Sequence, residues 1–252
     1  MPRLAFGRLK RFAPSARSLV VGIGLIALAI GGYAVLRESS AFAIRHIEVR
    51  GASPTVAAQV RTSLAPLRGR SLLGLDGGAL ARSVDALPTV ESVAYDRSFP
   101  HTLRLEVVPE VPVAVLHRGT ETWLLSRRGR VIARIPVGTH PDLARIWVPS
   151  RTTVSAGAFV STDDALTIAR SLALARNFPA HIATAALVHG QLTLRLRSGL
   201  ELRLGEPNDV RLKLAIVRRA LGRLPAGTTY LDVSLPGRPV AGSDNPQVSS
   251  GG

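Results

Sequence analysis

The sequence predicts an α+β protein: an N-terminal membrane-spanning helix, a β-α-α-β-β module, then a mostly antiparallel β-subdomain with two helices. Three observations predict it. Residues 19–36 form an apolar run without a charged side chain, which at about 1.5 Å per residue reaches across the hydrocarbon layer of a bilayer. Residues 44–112 carry apolar patterns in the order strand, helix, helix, strand, strand. Beyond residue 113 alternation with period two dominates, interrupted by two helical segments.

The anchor rests on Leu19, Val20, Val21, Ile23, Leu25, Ile26, Leu28, Ile30, Val35 and Leu36. Its flank, residues 1–18, holds Arg3, Arg8, Lys10, Arg11 and Arg17 and no acidic residue. Short basic flanks stay in the cytoplasm, which puts everything beyond residue 36 outside, in a single pass through the cell (inner) membrane. Ala41-Phe42-Ala43 has the small-x-small form of a signal-peptide cleavage site. The apolar run nevertheless exceeds the usual signal core, and Arg37 and Glu38 stand between it and that site, so the reading is a retained anchor with a linker at 37–43.

The net charge of +15 is unevenly spread. Residues 1–43 hold six basic and one acidic side chain, residues 44–112 eight and seven, and residues 113–252 eighteen and nine. Topology accounts for the first excess, and only the last asks for an anionic partner or a solvated arginine surface. Neither a zinc spacing nor an aromatic-glycine RNA signature occurs, so nucleic acid is not expected. The chain has no cysteine, and an exported chain of this kind folds without disulfides or thiolate ligands.

In the first module, residues 44–50 alternate as a strand that Gly51 ends. Ser53-Pro54 supplies an N-cap and a first-turn proline, and Val56, Val60 and Leu64 then recur at helical spacing. Arg68-Gly69-Arg70 is a turn. Asp76 caps a second helix whose inner face is Leu80, Val84 and Leu87. Strands at 90–97 and 102–108 flank the turn Ser98-Phe99-Pro100-His101, with Leu103, Leu105 and Val107 on one face.

Ile47-Glu48-Val49-Arg50-Gly51 opens this order, and Pro88-x-Val90 follows its second helix. Arg97-x-Phe99-Pro100-x-Thr102-Leu103 and Pro112-Val113-Ala114 complete the set. Together, on a single-pass anchor, they resemble the POTRA domain of the FtsQ/DivIB cell-division family. That family usually carries Glu-Arg before the exit, where this chain has Pro109-Glu110. Nothing known of that pair is carried over.

In the second subdomain, residues 113–117, 123–126, 130–135 and 146–148 read as strands, the middle two around an Arg127-Arg128-Gly129 turn. Thr162 with Asp163 and Asp164 gives a capped, dipole-matched helix start, with Leu166, Ala169, Ala173 and Leu174 on its apolar side. Residues 187–189, 191–196 and 200–204 read as strands, the last two joined through Ser198-Gly199. Asn208-Asp209 caps a helix to Arg223, and 229–234 and 238–241 are the last strands. Gly199-x-Glu201-Leu202-x-Leu204-Gly205, Lys213 and Tyr230-x-Asp232 again resemble the FtsQ family. The expected divisions are 1–18 cytoplasmic, 19–36 anchor, 37–43 linker, 44–112 POTRA, 113–241 β-subdomain and 242–252 disordered tail.

No catalytic set emerges. His46, His101, His117, His140, His181 and His189 are scattered, with no HExxH, no GxSxG and no phosphate-cradling glycine loop. Asp163 and Asp164 point about 100° apart on a helix and fit a first turn on dipole grounds alone. No cofactor, metal or small-molecule substrate is implied.

The resemblance implies a non-enzymatic scaffold at the division septum whose C-terminal subdomain holds FtsB/FtsL-type partners, among other divisome components, through its last strands. On that implication the contacts are Tyr230, Ser234, Leu235, Gly237, Arg238 and Val240, with the helix ending at Arg223 alongside. An edge strand offers unpaired main-chain groups to such a partner. The family often has arginine two residues after the aspartate, where this chain has Ser234, so Arg238 or the helix residues Arg211, Arg218, Arg219 and Arg223 would supply the charge. The same residues leave open that Tyr230 and Val233 are core and Asp232 a turn or register residue. Two other classes stay open: a POTRA-bearing chaperone or secretion component, and a secreted wall-binding protein. The first predicts further POTRA copies or a barrel, and the second an aromatic platform that a 4% aromatic content supplies poorly.

Overall fold

A computed structural model describes residues 16–38 and 40–243. The basic flank at 1–15 and most of the expected tail, 244–252, lie outside the described residues. Helix α1 (Ala16–Glu38) includes a stretch, Leu19–Arg37, of mean hydropathy 2.4 with none of it buried. It is long and apolar enough to cross a membrane, and its apolar side chains are exposed.

The first module has the expected order: β1 (His46–Arg50), α2 (Pro54–Ser63), α3 (Gly77–Asp85), β2 (Val90–Ser98) and β3 (Thr102–Pro109). Its sheet runs β1-β3-β2, with β1 parallel and β2 antiparallel to β3. Both helix caps expected from sequence form. Ser53 Oγ accepts from Val56 N at 3.5 Å, and Asp76 Oδ1 accepts from Gly78 N and Ala79 N at 2.9 and 3.1 Å. Leu103, Leu105 and Val107 project from β3 into a core with Val60, Leu64, Leu72, Leu80 and Val84, all essentially without solvent contact. Each side chain buried in this way contributes about 1.5–3 kcal/mol relative to exposure. Val56 and Leu87 sit at the margin of that core. β1 begins at His46, two residues later than the alternation predicts, because Ile44 is occupied elsewhere: its N donates to Arg70 O and its O accepts from Gly69 N.

The second part is one nine-stranded sheet, formed by β4 (Pro112–Arg118), β5 (Glu121–Ser126), β6 (Val131–Ile135), β7 (Ala144–Trp147), β8 (Ile182–Val188), β9 (Gln191–Leu196), β10 (Glu201–Gly205), β11 (Tyr230–Asp232) and β12 (Val240–Gly242). The order is β12-β11-β10-β9-β8-β7-β4-β5-β6. Five neighbouring pairs are antiparallel, and three, β4/β7, β7/β8 and β10/β11, are parallel. Two of the parallel pairs follow from helical crossovers: α4 (Asp163–Leu174) returns the chain between β7 and β8, and α5 (Val210–Ala220) between β10 and β11. Both helices pack on one face, where Leu116, Leu125, Ile146, Leu192, Leu194 and Leu202 are buried. The other face has no helix over it among the described residues.

Four local expectations are corrected. Thr162 occupies the N-cap of α4, but its hydroxyl is buried and makes no capping bond, so the acidic first turn carries that helix start. Asp209, at the N-cap of α5, has a left-handed φ of 48° and its side chain caps nothing. Instead Lys213, 1% exposed, reaches back from the helix and its Nζ donates to Glu206 O and Asn208 Oδ1, both at 2.8 Å. The α-helix ends at Ala220 and continues as a 3-10 turn, Leu221–Arg223. His189, expected in a strand, turns with Gly190 at φ 49° and 76°, the positive pair that a two-residue hairpin needs between Val188 and Gln191.

Candidate partner-binding edge and the joint behind it

The nine-stranded sheet has two ends, and the chain treats them differently. At β6, the segment 157–160 lies against the outer side: Val131 N donates to Ala158 O, Gly157 N to Val131 O and Val160 N to Gly129 O. At β12 no main-chain bond reaches the outer side from any described residue. An edge left in this state is a template for an added strand.

Tyr230, Ser234, Leu235, Gly237, Arg238 and Val240 all lie on the β11–β12 hairpin at that end. Leu235 is 65% exposed and Val240 54%, while Gly237 and Arg238 are also exposed. Arg238 N donates to Leu235 O at 3.0 Å, which closes the turn. The other two are half-buried with visible structural duties. The Tyr230 ring lies over Gly242, where a Cβ would come within 2.5 Å of its hydroxyl, and under the Arg203 guanidinium, 4.2 Å from the ring centre. Ser234 packs on Gly205, whose φ of 69° and missing Cβ let the two backbones approach. Asp232 Oδ1 accepts from Ser234 N at 2.8 Å, which is a turn role, and Val233 is fully buried in the core.

A single cross-strand row leads to this edge on the helix-free face. Arg145, Thr184, Arg195, Glu201, Tyr230 and Gly242 follow one another in register from β7 to β12. Glu201 sits between two guanidiniums, Arg203 Nε at 2.8 Å and Arg195 at 3.1 Å. The Arg203 hydrogen bond first, and Arg195 with it, holds the Glu201 carboxyl below its ordinary range. The basic residues of α5 and its 3-10 extension, Arg211, Arg218, Arg219 and Arg223, are exposed, but α5 packs on β10 and α4 rather than beside β12.

A second constellation was not anticipated from sequence: a joint between the two sheets. Arg130, 7% exposed, donates to Gly157 O at 3.1 Å and crosses to the first module to donate to Val90 O at 2.8 Å and Asp85 O at 2.7 Å. Arg127 pairs with Glu91 at 2.6 Å, and Arg128 donates to Glu91 O at 2.8 Å. Ser126 Oγ accepts from Arg128 N and Arg130 N, which shapes the turn presenting all three arginines. Glu110 lies at the base of this joint, buried, with neither carboxylate oxygen hydrogen-bonded. Burial pushes its carboxyl above the ordinary range; the Ser126 hydroxyl and the Arg128 and Arg130 charges pull it partly back, while Glu91 adds to the rise. The sequence signal was three arginines in four positions around Gly129, a turn with more cation than a turn needs.

Among the described residues no group of three His, Asp or Glu side chains is placed to hold a metal ion. The site can therefore be described by its main chain, its apolar tip and its arginines.

Residues 42–108 match the family model described as POTRA domain, FtsQ-type. Over 226 residues the chain is 30% identical to the cell division protein FtsQ of Myxococcus fulvus, covering 85% of this chain and 78% of that one. It is 25% identical to FtsQ of Streptomyces venezuelae over 234 residues, 90% and 84% of the two chains, and 24% identical to FtsQ of Streptomyces coelicolor over 242 residues, 93% and 91%. With the anchor-length helix, the β-α-α-β-β module and the β-rich second part in the expected order, the chain belongs to the FtsQ family of cell-division proteins.

Proposed function

We propose that this protein is a non-enzymatic, single-pass scaffold of the division machinery, whose β12 edge takes up an extended segment of an FtsB/FtsL-type partner. In this reading residues 1–18 are cytoplasmic, 19–36 span the inner membrane, and the folded parts, 44–112 and 113–241, stand outside at the septum and hold other divisome components. The observation that carries it is the unequal treatment of the sheet ends: the start of β6, at Val131, is capped by the protein's own segment 157–160, and β12 has no such bond from any described residue. Main-chain bonds along β12 would supply affinity, and Leu235 and Val240 an apolar contact. Arg238, exposed and without an ion pair among the described residues, would supply charge.

The test is a pull-down of the full-length, detergent-solubilised chain with FtsB and FtsL from the same cell. Beside it runs a Leu235→Glu, Val240→Glu variant, which alters two exposed side chains. Loss of about tenfold or more in partner affinity, with unchanged thermal unfolding, is the expected result. Undiminished binding by the variant would remove the edge from the proposal.

A further inference from the structure

The end of the first module that meets α1 carries a feature the partner edge does not explain. Arg37, in the last turn of α1, packs over Gly74, at which a Cβ would stand 3.4 Å from its side chain. The segment that follows is threaded between two loops. Leu72 N donates to Phe42 O, Ala43 bridges Ser71, Ile44 pairs with Gly69 and Arg70, and Arg45 N donates to His101 O. The Phe42 and Phe99 rings meet edge to face at 5.7 Å, and Phe99 at the hairpin tip is 51% exposed.

This end is cationic and unneutralised. Arg37, Arg45, Arg68 and Arg70 are exposed, and none has an ion pair among the described residues. Elsewhere in the module Arg50 and Arg104 share Glu48 and Arg97 donates to Leu75 O, while Arg61 and Arg82 have no ion pair among the described residues either. Residues 40–46, 65–75 and 97–102 contain no Asp or Glu. Glu38 adjoins Arg37, and Asp76, just beyond, is engaged as the cap of α3. Four arginines and an exposed phenylalanine therefore converge where the apolar helix ends.

From this we infer that the membrane-proximal end of the module is a seat for anionic phospholipid headgroups of the leaflet from which α1 emerges. Continuity with α1 selects the membrane as occupant, since the chain leads from its apolar span into this surface in a few residues. Guanidiniums match phosphate geometry, and an aromatic ring fits the headgroup level. Seated in this way, the module is oriented on the bilayer rather than tethered loosely to it. The inference rests on α1 being a retained anchor.

The full-length chain reconstituted in lipid nanodiscs tests it. Because there is no native cysteine, an Ala65→Cys chain can carry a single fluorophore on an exposed position beside Arg68. Quenching by a headgroup-level nitroxide lipid is compared in phosphatidylcholine discs and in discs containing phosphatidylglycerol. The expected result is roughly twofold stronger quenching in the anionic discs, lost near 1 M salt, where the screening length falls to about 3 Å. It is also expected to be lost in an Arg45→Gln, Arg68→Gln, Arg70→Gln chain. Equal quenching in both lipids overturns the headgroup seat while leaving the anchor intact, as does a lipid dependence that survives the triple substitution. A chain that does not co-elute with the discs contradicts the anchor, and the inference falls with it.

Discussion

Glu110 carries a carboxyl group into a buried place where only the Ser126 hydroxyl reaches toward it, without forming a well-aligned hydrogen bond, and burial raises its affinity for a proton. The folded chain therefore holds this proton more tightly than the unfolded chain. The stability that goes with it is complete below the ordinary carboxylate range and is lost as pH rises through the folded-state value. Glu110→Gln, which keeps the shape and stays neutral, is expected to raise the melting temperature near neutral pH and leave it unchanged in acid. A shift equal at all pH values would assign the effect to packing instead. Lys213 is the opposite case, a buried cation with two neutral acceptors and no carboxylate. Lys213→Met retains the stem but frees the loop before α5, and should cost about 1–3 kcal/mol in urea unfolding, with faster amide exchange at residues 206–209. Neither role was readable beforehand. In the sequence Glu110 shows only as a departure from a family pattern, and Lys213 only as part of one. What decides both is burial, which is set by strands far away in sequence.

Among the elements, the helix starts show what a sequence can and cannot fix. Ser53 and Asp76 cap α2 and α3 because the residue before each helix is extended, at ψ 158° and 102°, and points its oxygen at the first turn. The same residue types fail before α4 and α5. The Thr162 hydroxyl is drawn into the interior, and Asp209 is forced into a left-handed conformation by the loop that Lys213 ties down. Strand identity was legible wherever alternation was clean, as in β3 and β9, but sheet order was not: β7 inserts between β4 and β8, which no local pattern announces. The joint was invisible for the same reason, since Arg130 bonds residues 40 and 45 positions earlier. Arg130→Ala should remove about 2–4 kcal/mol, because three carbonyl contacts, one buried and two part-buried, are lost at once. Calorimetry should then resolve two transitions, where a single one is expected for the unaltered chain. A single transition at lower temperature would mean that the two sheets are coupled through other contacts.

Taken whole, the molecule is a line of connected parts: a helix long enough to cross a bilayer, a module laced directly to its end, a buried arginine joint, and a nine-stranded sheet that stops at an open edge. The basic excess beyond residue 113 divides accordingly. Arg127, Arg128 and Arg130 serve the joint, Arg118 and Arg134 pair with Glu121, and Arg195 and Arg203 pair with Glu201. Of the remainder, Lys213 is buried and Arg145 half-buried, and the others, on α5 and at Arg238 among other places, face solvent. Family membership was readable from ordered motifs, whereas the distinction between an edge capped at its start and an open one needed the structure.

In the proposed reading a partner adds its strand at the open edge. The most direct measurement is hydrogen–deuterium exchange of the full-length chain with and without FtsB and FtsL. Slowed amide exchange is expected at residues 238–242, where β12 acquires a neighbour, with β6 unchanged. Protection confined to the first module or to α5, with residues 238–242 exchanging as fast as before, would contradict that reading.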